Sequence, residues 1–176
     1  MAVADILTTK VKTMTETIIH TIAPVYNAQS KVLILGTIPS PKSRETGFFY
    51  GHPQNRFWRV MADLFAAPLP QSIEEKTCLL LQNHIALWDT LYACEITGAG
   101  DSTIRNPVPN DFTPIFKTGR IKAVFTSGQA ATKIYNKYSF PVTGIKPIYL
   151  PSTSPANCRL SYKELLAAYG QVKNYL

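Results

Sequence analysis

A chain of 176 residues with 45% hydrophobic content is long enough to bury one substantial core and too short for two ordinary domains. No apolar run approaches the roughly 20 residues that span a bilayer, and the first fifteen residues lack a secretory signal's apolar stretch, so a soluble, cytoplasmic protein without membrane contact is expected. The net charge of +7 is lopsided: residues 1–111 hold nine Lys and Arg against ten Asp and Glu, whereas 112–176 hold nine basic residues and one acid, Glu164, a field that attracts polyanions such as nucleic acid.

In chain order, the Thr-rich start to about residue 17 reads as a poorly ordered tail, and 18–176 as one domain. KVLILG (31–36) has the continuous apolar character of a strand buried on both faces, and so do HIALWD (84–89), IKAVFTSG (121–128) and KPIYLPS (146–152). Helical patterns lie between and after them, at 55–66, 72–82, 129–138 and 162–175. Ser72 with Glu75 matches a capping box, and Ser161 suits the N-cap of the last helix. Strands alternating with helices predict an α/β fold: a single domain of three layers, with a four-stranded parallel sheet flanked by helices. Cys78, Cys94 and Cys158 have no metal spacing and are expected as reduced, mostly buried thiols.

Ligands of such sheets bind beyond the carboxyl ends of the strands. The sequence has no Gly-rich nucleotide cradle, no serine-hydrolase elbow and no His/Cys cluster, so nucleotide-phosphate, serine-hydrolase and zinc-metal readings are without support. What remains is the loop after the first strand, where Gly36 and Pro39 fix the backbone course and exposed peptide N–H groups could bond a ligand. Phe48, Phe49 and Tyr50 follow, two of them expected in the core. Asn55 stands at a helix start, where it could be a cap or a functional amide. LPSTSPANCR (150–159) combines hydroxyls, an amide and an Arg in the basic third, which suits phosphate contacts. His20 and His84 are expected to be structural.

Together LILGTIPS (33–40), FFYGHPQNRFW (48–58), ALWDTL (86–91), NDF (110–112) and LPSTSPAN (150–157) resemble the uracil-DNA glycosylase superfamily, in its deoxyinosine (hypoxanthine-DNA) glycosylase branch. The resemblance implies a monomeric DNA-repair enzyme that needs no cofactor and no obligate protein partner. It would hydrolyse the N-glycosidic bond of a deaminated base flipped from DNA, and would be nucleoid-associated when bound. It implies base contacts from Gly36, Thr37, Ile38, Pro39 and Ser40, stacking by Phe49 or Tyr50, a bond from His52, and base recognition by Asp89, where relatives carry Asn. Much of the superfamily has Asp or Asn where this chain has Ile38, and the uracil branch has His where it has Leu150; the deoxyinosine branch moves the water-positioning amide to Asn55. Ser152, Thr153, Ser154 and Asn157 would grip phosphates, Pro155 and Ala156 would fill the gap left by the base, and Arg159 and Lys163 would add attraction. The alternatives are a uracil- or xanthine-directed glycosylase, a DNA-binding protein that has lost catalysis, and an unrelated α/β enzyme of small ligands.

Overall fold

The computed structural model describes residues 14–98 and 100–176. At its centre, strands β2 (Val32–Gly36), β3 (Ile85–Asp89), β6 (Ala123–Ser127) and β7 (Ile148–Leu150) form a parallel sheet in the order β3-β2-β6-β7. The period-two alternation of each strand divides its side chains between two cores. Val32, Ile34, Ile85, Leu87 and Phe125 meet helices α2 (Phe57–Leu64), α3 (Ile73–Gln82) and α7 (Tyr162–Gly170) on one face. Leu33, Leu35, Ala86 and Val124 meet Phe112, Ile115 of α4 (Thr113–Thr118) and Tyr135 on the other. Burial on both faces is why these strands read as unbroken apolar runs.

The capping boxes at Ser72 with Glu75 and at Ser161 with Glu164 both form. The helix expected over 129–138 is α5 (Gln129–Ile134), which widens into a π-turn at Tyr135–Ser139 before α6 (Phe140–Thr143); the last helix tightens into a 3-10 turn over Gln171–Tyr175. Of the three thiols only Cys94 is buried; Cys78 and Cys158 are exposed, because each lies on the solvent side of its segment.

A second sheet has no counterpart in the sequence reading. Strands β1 (Thr15–Ile19), β4 (Leu91–Thr97) and β5 (Arg105–Pro109) run antiparallel in the order β1-β4-β5 around Ile18, Leu91, Cys94 and Ile96. The expected tail therefore ends sooner than residue 17, since Thr15–Thr17 pair with Glu95–Thr97; the rest of that tail, 1–13, lies outside the described residues. Pro107 and Pro109 are tolerated because β5 is an edge strand. Only Thr90 separates β3 from β4, and Asn110 braces this corner by donating through Nδ2 to the carbonyls of Asp89 and Leu91, both at 3.0 Å. The second sheet thereby overhangs the carboxyl end of the first.

Candidate active site

The first-strand loop leaves the sheet at Gly36. Its carbonyls are fastened by the Thr90 N–H to Gly36 O (2.8 Å) and by the Leu91 N–H and Thr90 hydroxyl to Thr37 O (3.0 and 3.1 Å). Pro39 and Ser40 then turn the chain into α1 (Pro41–Thr46), with the Ser40 hydroxyl accepting from the Ser43 N–H. This loop is one wall of a cleft of about 500 Å³ beyond the strand ends, the size range of small-ligand sites.

Asp89, at the end of β3, is buried in that wall. Its Oδ2 accepts from His20 Nε2 at 2.9 Å, while His20 Nδ1 accepts the Ile22 N–H at 3.2 Å. The acceptor role of Nδ1 fixes the tautomer: the proton is on Nε2 and points at Asp89. A buried carboxylate with one oxygen engaged this way presents its other oxygen as an acceptor only. That oxygen lies against Gly36, where a β-carbon would collide with it. Gly36→Ala is accordingly expected to unfold at a lower temperature, by about 1–3 kcal/mol of overpacking, which thermal denaturation checks.

Tyr50 adopts a left-handed backbone (φ 53°) that bulky residues rarely take, and its ring stacks on Phe57 with centroids 3.9 Å apart. Its hydroxyl is buried beside Gly36 without a well-formed hydrogen bond, and burial first, then the neighbouring Tyr169 and Asp89, push its pKa well up. Tyr50 therefore stays a neutral donor. Phe48 and Phe49 are in the core, as expected for two of the three aromatics; Phe49 also backs His20, with ring centroids 6.0 Å apart.

Asn55 reaches the cleft just before α2. Its Oδ1 accepts the Phe57 N–H at 3.0 Å, so the oxygen holds the first turn of α2, and Nδ2 is left as the donor that a functional amide would need. The opposite rim is the loop after β7, stapled by its own atoms. Ser152 Oγ accepts the Ser154 N–H, Ser154 Oγ accepts the Ala156 N–H, and Asn157 Nδ2 donates to Ser152 O. Arg56, which lies inside a quoted motif but was given no role of its own, clamps this loop by donating to the carbonyls of Leu160 (3.0 Å) and Asn157 (2.7 Å). Arg56→Ala should free the loop and cost about 2 kcal/mol of stability, which thermal denaturation measures.

The cleft thus brings together Gly36, Thr37, Ile38, Pro39, Ser40, Phe49, Tyr50, Asn55, Asp89, Ser152, Thr153, Ser154, Ala156 and Asn157. His52 is not among them: it is exposed and its Nδ1 accepts the Gln54 N–H, which makes it a turn residue. Thr153 is 1% exposed, so its side chain cannot be a surface phosphate grip. Pro155, Arg159 and Lys163 stand exposed outside the cleft. Leu150 is wholly buried in the core. Two residues that bear on the cleft, one behind its wall and one lining it, had no functional signal in the sequence. His20 was expected to be structural and is Asp89's partner, and Asp101, in the turn between β4 and β5, accepts from the Thr37 hydroxyl at 2.9 Å. Among the described residues no cluster of three or more His, Cys, Asp and Glu could hold a metal ion, and no helix could cross a membrane.

Three comparisons bear on this arrangement. The family model of the uracil DNA glycosylase superfamily matches residues 23–171. A hypoxanthine DNA glycosylase of Methanosarcina acetivorans is 31% identical over 141 residues, covering 78% of this chain and 87% of its own length. One of Methanosarcina barkeri is 36% identical over 92 residues, covering 51% of this chain and 58% of its own. Among solved structures, the solution NMR structure of a candidate uracil DNA glycosylase from Methanosarcina acetivorans superimposes with a TM-score of 0.74 at 28% identity, covering 91% of this chain and 99% of that one.

Proposed function

From a chain that belongs to the uracil DNA glycosylase superfamily, we propose an enzyme that removes hypoxanthine from DNA. It is a DNA N-glycosylase: water replaces the base at C1′ of a nucleotide extruded into the cleft.

One observation supports the choice of base above the others: Asp89, fixed by His20 as an acceptor at the cleft wall. Deamination turns adenine N1, an acceptor, into the N1–H donor of hypoxanthine. A carboxylate welcomes that proton and repels the adenine lone pair. The same logic admits xanthine and uracil, and equally guanine and thymine, whose ring nitrogens also carry protons, so Asp89 separates hypoxanthine from adenine and uracil from cytosine. Tyr50 and Phe49 supply the aromatic wall for the purine, with the neutral Tyr50 hydroxyl behind it beside Gly36.

Asn55 orients the water through Nδ2. The C1′–N9 electron pair leaves with the base while positive charge grows on the sugar, and peptide and amide dipoles stabilise the departing base. The hydroxyls of Ser152 and Ser154, whose oxygens already accept within the loop, retain their protons for phosphate oxygens. Ala156, with Pro155 beyond it, is placed to fill the space of the extruded nucleotide, while Arg159 and Lys163 attract the strand at longer range. The protein would act as a monomer in the cytoplasm, on nucleoid DNA.

Matched oligonucleotides carrying one deoxyinosine, deoxyuridine or deoxyxanthosine decide the matter. Release of hypoxanthine at the highest kcat/KM is the expected result. Preferred release of uracil would reassign the substrate, and salt-sensitive binding without release of any base would make the chain a DNA-binding member of its family.

A further inference from the structure

Hydrolysis needs a group that accepts the proton of the attacking water. Asn55 cannot be that group, because an amide is no Brønsted base near neutrality and its oxygen already caps α2. Asp89 faces the base with one oxygen spoken for by His20. Ile38, in the loop itself, is apolar and packs against the core of the second sheet.

A further carboxylate lies in the cleft, that of Asp101. Its turn is built firmly. The Thr103 hydroxyl donates toward the carbonyls of Thr97 (2.9 Å) and Gly100 (2.8 Å) and accepts the Thr97 N–H (3.1 Å), and the following residue, Ile104, packs against the core of the second sheet. From there the Asp101 side chain reaches across to the first-strand loop and takes the Thr37 hydroxyl bond, one residue from Ile38. The turn is exposed but its carboxylate points inward. Burial and the negative charge of Asp89 both raise its pKa, opposed by the Thr37 bond.

We propose that Asp101 is the catalytic base of this glycosylase, accepting the proton of the water that Asn55 orients. This rests on the reading of the cleft as the base-release site. The water oxygen bonds to C1′ as the C1′–N9 pair leaves with the base, the water proton passes to Asp101 Oδ, and Asp101 then yields it to the departing base or to solvent. The products are an abasic sugar and neutral hypoxanthine, and Asp101 is restored. Its negative charge also favours the cationic sugar on the way.

The base must be ionised, so activity falls on the acid side as Asp101 takes up a proton, and its raised pKa moves that limb up from where an ordinary aspartate would put it. Asp89 of β3 and Cys94 of β4 are the titratable groups around it, with His20 behind Asp89 and Arg44 of α1 on the far side of Cys94. A limb owed to any of them would survive loss of Asp101. The experiment is the single-turnover rate of hypoxanthine release against pH for the wild type, Asp101→Asn and Thr37→Val, with melting temperature and DNA affinity of each.

Asp101→Asn is expected to lose about 10²–10⁴-fold in rate together with the acid limb, while binding DNA as before. Thr37→Val removes the bond that lowers the Asp101 pKa, so its limb should move to higher pH. An Asp101→Asn rate within about threefold of wild type, or an unchanged acid limb, would overturn the proposal. If Asp101→Asn does not fold, the Thr37→Val limb decides alone, and a limb that stays in place overturns it. A wild type that releases no base at all would instead remove the glycosylase reading itself.

Discussion

Asn55→Ala is expected to lower the single-turnover rate of base release by about 10²–10³-fold and to leave DNA affinity within about twofold, the pattern of a group used in the transition state and not in binding. The structure complicates this variant in a useful way, because Asn55 Oδ1 also caps α2 through the Phe57 N–H. Losing the cap costs about 1 kcal/mol, so Asn55→Ala should also melt earlier. Asn55→Asp separates the two effects. It keeps an oxygen for the Phe57 N–H, and its charge suits a helix start, so its melting temperature should hold. It lacks the Nδ2 donor, so its activity should fall as far as that of the Ala variant. A fully active Asn55→Asp would show that the Nδ2 donor is not what the reaction uses.

Asp89→Asn should change which base is accepted. The His20 Nε2–H would hold the amide oxygen, turning the amide NH₂ toward the base where the carboxylate oxygen had been. A donor then meets the N1–H of hypoxanthine, and kcat/KM for deoxyinosine should fall by about 10²-fold or more, within the range by which polar sites reject mismatched hydrogen-bonding partners. The lone pair of adenine N1 becomes acceptable, so the preference for deoxyinosine over deoxyadenosine should narrow. Parallel kcat/KM measurements on the two oligonucleotides read this directly. Unchanged preference would leave Asp89 as a structural residue of the strand end.

The central sheet was legible because its strands are buried on both faces, which leaves no room for polar residues in Val32–Leu35 or Ala123–Phe125. The second sheet was not. β1 buries a single residue of its five, Ile18, so no alternation marks it, and the prolines of β5 read as loop. In the cleft, Gly36, Tyr50, Asn55 and Asp89 stand in motifs whose neighbours are close in sequence. His20 and Asp101 do not: His20 finds Asp89 across 69 positions, and Asp101 meets the first-strand loop across 64, through folding alone. Arg56 sat within a recognised motif, yet its work depends on the carbonyls of a loop 101 to 104 residues away.

β1 belongs to an edge, and His20 follows it directly in the chain. Edge strands that bury little open by local fluctuation at a free energy well below that of global unfolding. Each opening of β1 would loosen the hold of His20 on Asp89 while the parallel sheet, Asn55 and the loop after β7 stay in place. Fidelity and fold are therefore protected to different degrees: warming or mild denaturant should blur the choice of base before it ends catalysis, and amide hydrogen exchange along Glu16–Ile19 should report the approach of that state.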